Sequence, residues 1–98
     1  MSFVLIFRPE VREELNEAYQ WYEGQQLGLG DDFIDCVDEM INRICQMPEL
    51  YTIIHRDVRR AVVHRFPYAV YYRIALDRVI VLAVLHGRGN PKAWQART

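Results

Sequence analysis

Ninety-eight residues, 51% hydrophobic and 26% charged with a net charge of −1, bound a single domain spanning residues 1–98, with room for one thin core. No run approaches the roughly 18 apolar residues of a membrane span, and the opening MSFVLIFRPE lacks the basic head and long apolar centre of a signal peptide, so the chain is expected in the cytoplasm with no membrane role. Three scattered histidines and two cysteines show no CxxC or HxxxH spacing, which argues against a metal site; no cofactor is expected.

Phe3 to Phe7 is a short apolar run that reads as a strand. Arg8-Pro9-Glu10 then opens a helix, with proline in the first turn and an acid beside it. Val11, Leu15, Ala18 and Tyr22 follow at helical spacing. The helix should stop before Gly24 or near Gly28. Gly28-Leu29-Gly30 is the hinge, and Asp31 or Asp32 can cap the next helix. Ile34, Val37, Ile41, Ile44 and Cys45 form its apolar stripe, and Pro48 ends it. Cys36 and Cys45 point to opposite sides of that helix, roughly 13 Å apart along its axis, too far for a disulfide.

The second half changes period. Arg60 to Phe66, Tyr68 to Leu76 and Arg78 to His86 are rich in Val, Ile, Tyr and Phe. Turn signals at Phe66-Pro67-Tyr68 and Asp77-Arg78 separate them into a meander. The last strand is apolar from Val79 to Leu85, so both faces are covered and it belongs in the middle. The first strand can join it at the side. Asn90 to Arg97 is a short terminal helix or a tail. The fold class is α+β, in the order β-α-α-β-β-β: a helical hairpin on one face of a four-stranded, mainly antiparallel sheet.

Charge divides along the same line. Residues 1–50 carry three Arg against eleven Asp and Glu, and residues 51–98 carry nine Lys and Arg against two Asp. The helical half is acidic and the sheet half basic, which suggests an anionic partner for the open sheet face. With a two-residue turn at Pro67-Tyr68, Val63 pairs with Tyr72 and Ala61 with Ile74 toward the helices. His64 then pairs with Tyr71, and Val62 with Arg73, on the opposite face. The candidate chemistry is phosphate handling: Arg binds phosphate through parallel hydrogen bonds, and His moves protons near neutrality. For metal-independent RNA cleavage the candidates are His64, His86, Arg65, Arg73 and Arg88. A serine triad is ruled out because Ser2 is the only serine, and GLG at 28–30 follows a helix, unlike a phosphate loop.

The segments RFPYAVYYRI at 65–74, DRVIVLAVLHGRGNP at 77–91 and KAWQAR at 92–97 resemble the RelE/ParE superfamily of type II toxins. The opening FRPEVREELNEAYQWYE and the QMPEL after the second helix also fit. The resemblance covers nearly the whole chain and is closest to the ParE-like branch, often called plasmid stabilisation proteins. That branch commonly ends its last strand with His-x-x-Arg-Asp-Pro; here Gly89 and Asn90 stand in place of the Arg-Asp pair.

The resemblance implies a toxin neutralised by a cognate antitoxin, whose disordered tail folds onto the basic sheet. It also implies either a homodimer or a toxin–antitoxin hetero-oligomer. ParE-type members inhibit DNA gyrase; RelE-type members cut mRNA on the ribosome. Lys92 is the only lysine, the terminal aromatic is Trp94, and the chain is not basic overall, which favours gyrase over the ribosome and mRNA. On this reading Arg65, Tyr71, Arg73, His86, Arg88 and Trp94 bind the target. The alternatives are the ribosome-dependent endoribonuclease and an inactive toxin-fold interaction module.

Overall fold

The computed structural model describes residues 3–89 and 91–98; Ser2 and Asn90 of the sequence reading lie outside them. Strand β1 (Val4–Phe7) leads into helix α1 (Pro9–Gln25), which carries Pro9 at its start and Glu10 in its first turn. Helix α2 (Leu29–Gln46) packs beside α1. A short 3₁₀ turn, Pro48–Leu50, precedes strands β2 (Thr52–His55), β3 (Val58–Val62), β4 (Tyr68–Ala75) and β5 (Arg78–His86). Helix α3 (Lys92–Gln95) closes the chain. Among the described residues no helix is long and apolar enough to cross a membrane.

The sheet has five strands in the order β1-β5-β4-β3-β2. β1 is parallel to β5, and the other neighbours are antiparallel. The expected architecture holds except for β2, which adds a fifth strand to the expected four. It forms a hairpin with β3 through Arg56, whose φ is 52°. A non-glycine residue in that region is uncommon, and Arg56-Asp57 gives no standard turn signal.

One core lies between the helices and the sheet. Val11, Ala18 and Tyr22 of α1 and Phe33, Val37, Ile41 and Ile44 of α2 meet Ala61, Val63, Val70, Tyr72, Val79, Val81 and Val84. Tyr72 is fully buried, and its hydroxyl donates to the Pro48 carbonyl at 2.6 Å. Burial pushes that phenol up to about 12. Both cysteines are free and half-buried, and burial also raises the Cys45 thiol.

The turn between the helices is not capped by Asp31 or Asp32. The Glu23 carboxylate reaches forward from α1 and accepts the Gly28 and Gly30 amides, both at 2.9 Å. Gly28 sits at φ 88°, where a side chain is strained. A Cβ on Gly30 would lie 2.8 Å from the Tyr19 ring and carbonyl. Both glycines are therefore required, one by conformation and the other by contact.

The β3–β4 register also differs from the expectation. Arg59 faces Tyr72, Arg60 faces Tyr71, Ala61 faces Val70 and Val62 faces Ala69. Residues 63–67 form a five-residue connection where a two-residue turn was expected. The displacement is even, so Ala61, Val63, Tyr72 and Ile74 still face the helices.

In β5 the pairing skips a residue: Tyr71 faces Ala83 and Tyr72 faces Val81. Leu82 is the extra residue of a bulge. Before it, Val79 and Val81 face the helices. After it, the parity reverses, and Val84 faces them while Ala83 and Leu85 face away.

β1 ends opposite Val81, leaving the outer edge of β5 uncovered beyond that point. Side chains satisfy it instead. Glu14 of α1 accepts the Val84 amide at 3.1 Å through Oε1 and the Arg97 guanidinium at 2.6 Å through Oε2. Arg97 also donates to the Leu82 carbonyl at 3.1 Å. The bulge, α1 and the C-terminal segment are thus joined at one carboxylate.

Candidate functional site

The sheet face away from the helices is not wholly open. Val58, Ala69, Tyr71, Leu82 and Ala83 form a second core there, closed by Trp94 of α3. Trp94 is 6% exposed. Its ring stacks on Tyr71 at 5.1 Å and 12° and meets His55 edge-on at 5.7 Å. Tyr71 and Trp94, expected to meet a target, are instead buried against each other. An indole that close to a phenol gains more by stacking than by waiting in water.

The expected arginines do not share this face either. Arg73 does lie on it, but Asp57 in the β2–β3 turn holds its Nε and its Nη2, each at 3.1 Å. Arg65 belongs to the β3–β4 connection, at φ 71°. Its guanidinium lies 5.3 Å over the Phe66 ring and 3.7 Å from Asp32 of α2. His64 leaves the strand as well. It lines a small cavity with Cys36, Glu39, Met40 and Arg43 of α2. The long connection swings both residues to the helix side, so the expected His64–Tyr71–Arg73 row does not form.

What the structure brings together is a rim at one end of the sheet. The Gly87 amide donates to the Pro67 carbonyl at 2.7 Å, which sets the β3–β4 connection beside the turn that follows β5. His86 stands at the strand end opposite Tyr68, with the rings 5.5 Å apart and nearly perpendicular. Its Nδ1 accepts the Arg88 amide at 3.0 Å. Arg88 itself is exposed. Arg60, on the far face of β3, extends to the same turn: a Cβ on Gly87 would lie 3.6 Å from its Nη2. Beside them the far face leaves Val62 exposed and Leu85 half-buried.

The acidic and basic halves partly neutralise each other. Arg65 meets Asp32, and Arg97 meets Glu10 and Glu14. Among the described residues Arg12, Arg56, Arg59, Arg60, Arg78 and Arg88 have no carboxylate within 4.0 Å. Two of these, Arg60 and Arg88, flank the rim. Behind His86, burial raises the Tyr68 phenol, and the nearby Glu17 carboxylate raises it further.

Sequence reading passed over Arg60. The signal was available: with Ala61 and Val63 on the helix face, alternation puts Arg60 on the other. Arg59 then turns to the helix side, where it donates to the Glu49 and Tyr51 carbonyls.

Residues 5–91 match the family model described as ParE toxin of the type II toxin–antitoxin system, parDE. Toxin ParE2 of Mycobacterium tuberculosis, in two strains, is 31% identical over 87 residues, covering 88% of this chain and 83% of the relative. The chromosomal ParDE system of P. aeruginosa superimposes with a TM-score of 0.77 at 13% identity, over 87% of this chain and 96% of that one. The E. coli toxin RelE, as a double arginine-to-alanine mutant in the free state, gives 0.73 at 14% identity, over 99% and 95%. These two structures share the fold. With the family match over most of its length and a relative at that level of identity, the chain belongs to the ParE toxin family and is the toxin of a type II toxin–antitoxin pair, with a cognate antitoxin as partner.

Proposed function

We propose that this toxin acts by binding, with DNA gyrase in the cytoplasm as its target and the cationic rim as its contact surface. The observation that carries the reading is the state of that rim. Among the described residues Arg60 and Arg88 have no carboxylate within 4.0 Å, while His86 already uses Nδ1 to hold the chain. Such a set offers charge and shape to an acidic surface, where complementary charge gives specificity and fast association. It does not offer a matched acid and base. The terminal aromatic, which would sit near the chemistry of a nuclease, is buried as Trp94 under the sheet.

The antitoxin tail covers the same rim in a toxin–antitoxin hetero-oligomer, placing carboxylates on Arg60 and Arg88 and apolar side chains on Val62 and Leu85. Such a segment orders as it binds.

The test is induction of the chain with and without its neighbouring reading frame, with purified chain added to a gyrase supercoiling assay and to a ribosome-programmed mRNA cleavage assay. Growth arrest relieved by the neighbour, with supercoiling inhibited and Arg60→Ala or Arg88→Ala each weakening inhibition at least tenfold, is the expected outcome. Message cleavage abolished by His86→Ala or Arg65→Ala would instead make the chain a nuclease. Unaffected growth under strong expression would make it an inactive interaction module.

A further inference from the structure

We infer that His86 is a positioning residue: its neutral imidazole is the acceptor that holds the Gly87–Gly89 turn closed and presents Arg88, and a proton on that ring releases the turn. The proposal deepens the reading of the rim as a contact surface and rests on it only for the use made of Arg88.

The turn has three backbone donors. Gly87 donates to the Pro67 carbonyl at 2.7 Å, and Gly89 donates to the His86 carbonyl at 2.8 Å. The Arg88 amide has the His86 Nδ1 instead, at 3.0 Å. For Nδ1 to accept it must carry no proton, which leaves Nε2 as the place for the proton of a neutral ring. The bond spans two residues, as an Asx turn does with an asparagine oxygen. The turn is also tight: a Cβ at residue 89 would lie 3.0 Å from the His86 carbonyl.

Two features aim the ring. The Leu82 bulge rotates the strand end, so that His86 faces Tyr68 and not the far side of the sheet. The Tyr68 ring then packs against it at 5.5 Å.

The charged groups around it come from three elements. Arg88 is on the turn itself, and Arg60 reaches the turn from β3. From the helix layer, Glu17 acts on Tyr68, the ring behind His86. Among the described residues no carboxylate lies within 4.0 Å of the imidazole. A second ring proton would therefore gain no anion, and it would set an N–H against the Arg88 N–H. The ring is exposed to solvent, where a proton can reach it. A second ring proton therefore opens the turn, and its loss closes it.

The test is NMR of the ¹⁵N-labelled full chain from pH 5 to 8. The expected result is an Nε2–H tautomer at high pH and an Arg88 amide signal that moves with the same midpoint as the His86 ring. His86→Asn, which supplies an acceptor at the same span, should keep the high-pH Arg88 amide environment and remove its pH dependence. His86→Phe, which keeps the packing on Tyr68 and removes the acceptor, should speed exchange of the Arg88 amide about tenfold at neutral pH. An Nδ1–H tautomer would overturn the proposal, as would an Arg88 amide that ignores the titration of His86. If the NMR results hold while Arg88→Ala leaves gyrase inhibition intact, the contact surface is misplaced and the latch stands.

Discussion

Glu14 ties three parts of the fold together through one side chain. Its carboxylate holds the Val84 amide of β5 and the Arg97 guanidinium, with the Glu14 and Arg97 side chains 13% and 15% exposed. Glu14→Ala removes both contacts, leaving the Val84 amide unpaired and the mostly buried Arg97 with only the longer Glu10 contact at 3.6 Å and the Leu82 carbonyl. Hydrogen bonds to charged groups contribute about 1.5–3 kcal/mol each, and breaking a fully buried pair costs about 3–5 kcal/mol. Residual solvent access lowers this to about 2–3 kcal/mol, out of a total of about 5–15 kcal/mol for a small domain. With a urea slope of about 1–3 kcal/mol/M, the unfolding midpoint should fall by about 1 M or more. Glu14→Gln keeps one acceptor and should cost about half as much. The decisive measurement is a double-mutant cycle with Arg97→Met, with unfolding followed by fluorescence. A coupling of about 1 kcal/mol is expected. A coupling near zero, or a loss under about 0.5 kcal/mol for Glu14→Ala, would mean that the carboxylate does not join α1, the bulge and the C-terminal segment.

Other outcomes follow from single contacts. Gly30→Ala should destabilise by about 1–3 kcal/mol, because its methyl group enters the Tyr19 ring and carbonyl at 2.8 Å; a thermal melt reads this directly. Leu76 is 94% exposed at φ 58°, so Leu76→Gly or Leu76→Asn should raise stability by about 0.5–1 kcal/mol by relieving a left-handed conformation. Tyr72→Phe leaves the Pro48 carbonyl without its donor and should cost about 1–2 kcal/mol in urea unfolding. The wild-type phenol, held up to about 12, keeps its proton in the folded chain above the roughly pH 10 of an unfolded tyrosine. Its contribution is therefore complete below about pH 10 and is lost as pH rises toward 12. Alkaline unfolding curves of wild type and Tyr72→Phe should converge over that interval.

The helices and β5 were legible because their signals are local. The stripe Val37, Ile41, Ile44 and the run Val79–Leu85 state their own burial. β2 was missed because TIIH follows a proline break and ends at Arg56, a turn residue with no turn chemistry in its type. The helix-side face of Ala61, Val63, Tyr72 and Ile74 was read correctly although the pairing was displaced, since an even displacement preserves alternation; His64 was not, because it lies beyond the strand. The bulge at Leu82 could not be read at all. An extra residue leaves no mark in a segment apolar at every position, yet it decides which way His86 looks.

The same cause accounts for the scattered site. Arg65 and Arg73 fall on opposite faces by alternation alone, and the 63–67 connection takes Arg65 out of the strand altogether. That Trp94 would fold back on Tyr71 depends on a contact between distant parts of the chain, which periodicity does not record.

The first strand of the chain has the last strand as its neighbour: Val4 lies against Arg78, and Phe7 against Val81. During synthesis the opening residues have nothing to pair with until almost everything else has been made. Contacts of such long range close late and slow the search for the native state. The turn that carries Arg88 emerges later still. The sheet therefore cannot be completed until the end of β5 is available, and the strand end that carries His86 takes shape only with the finished fold.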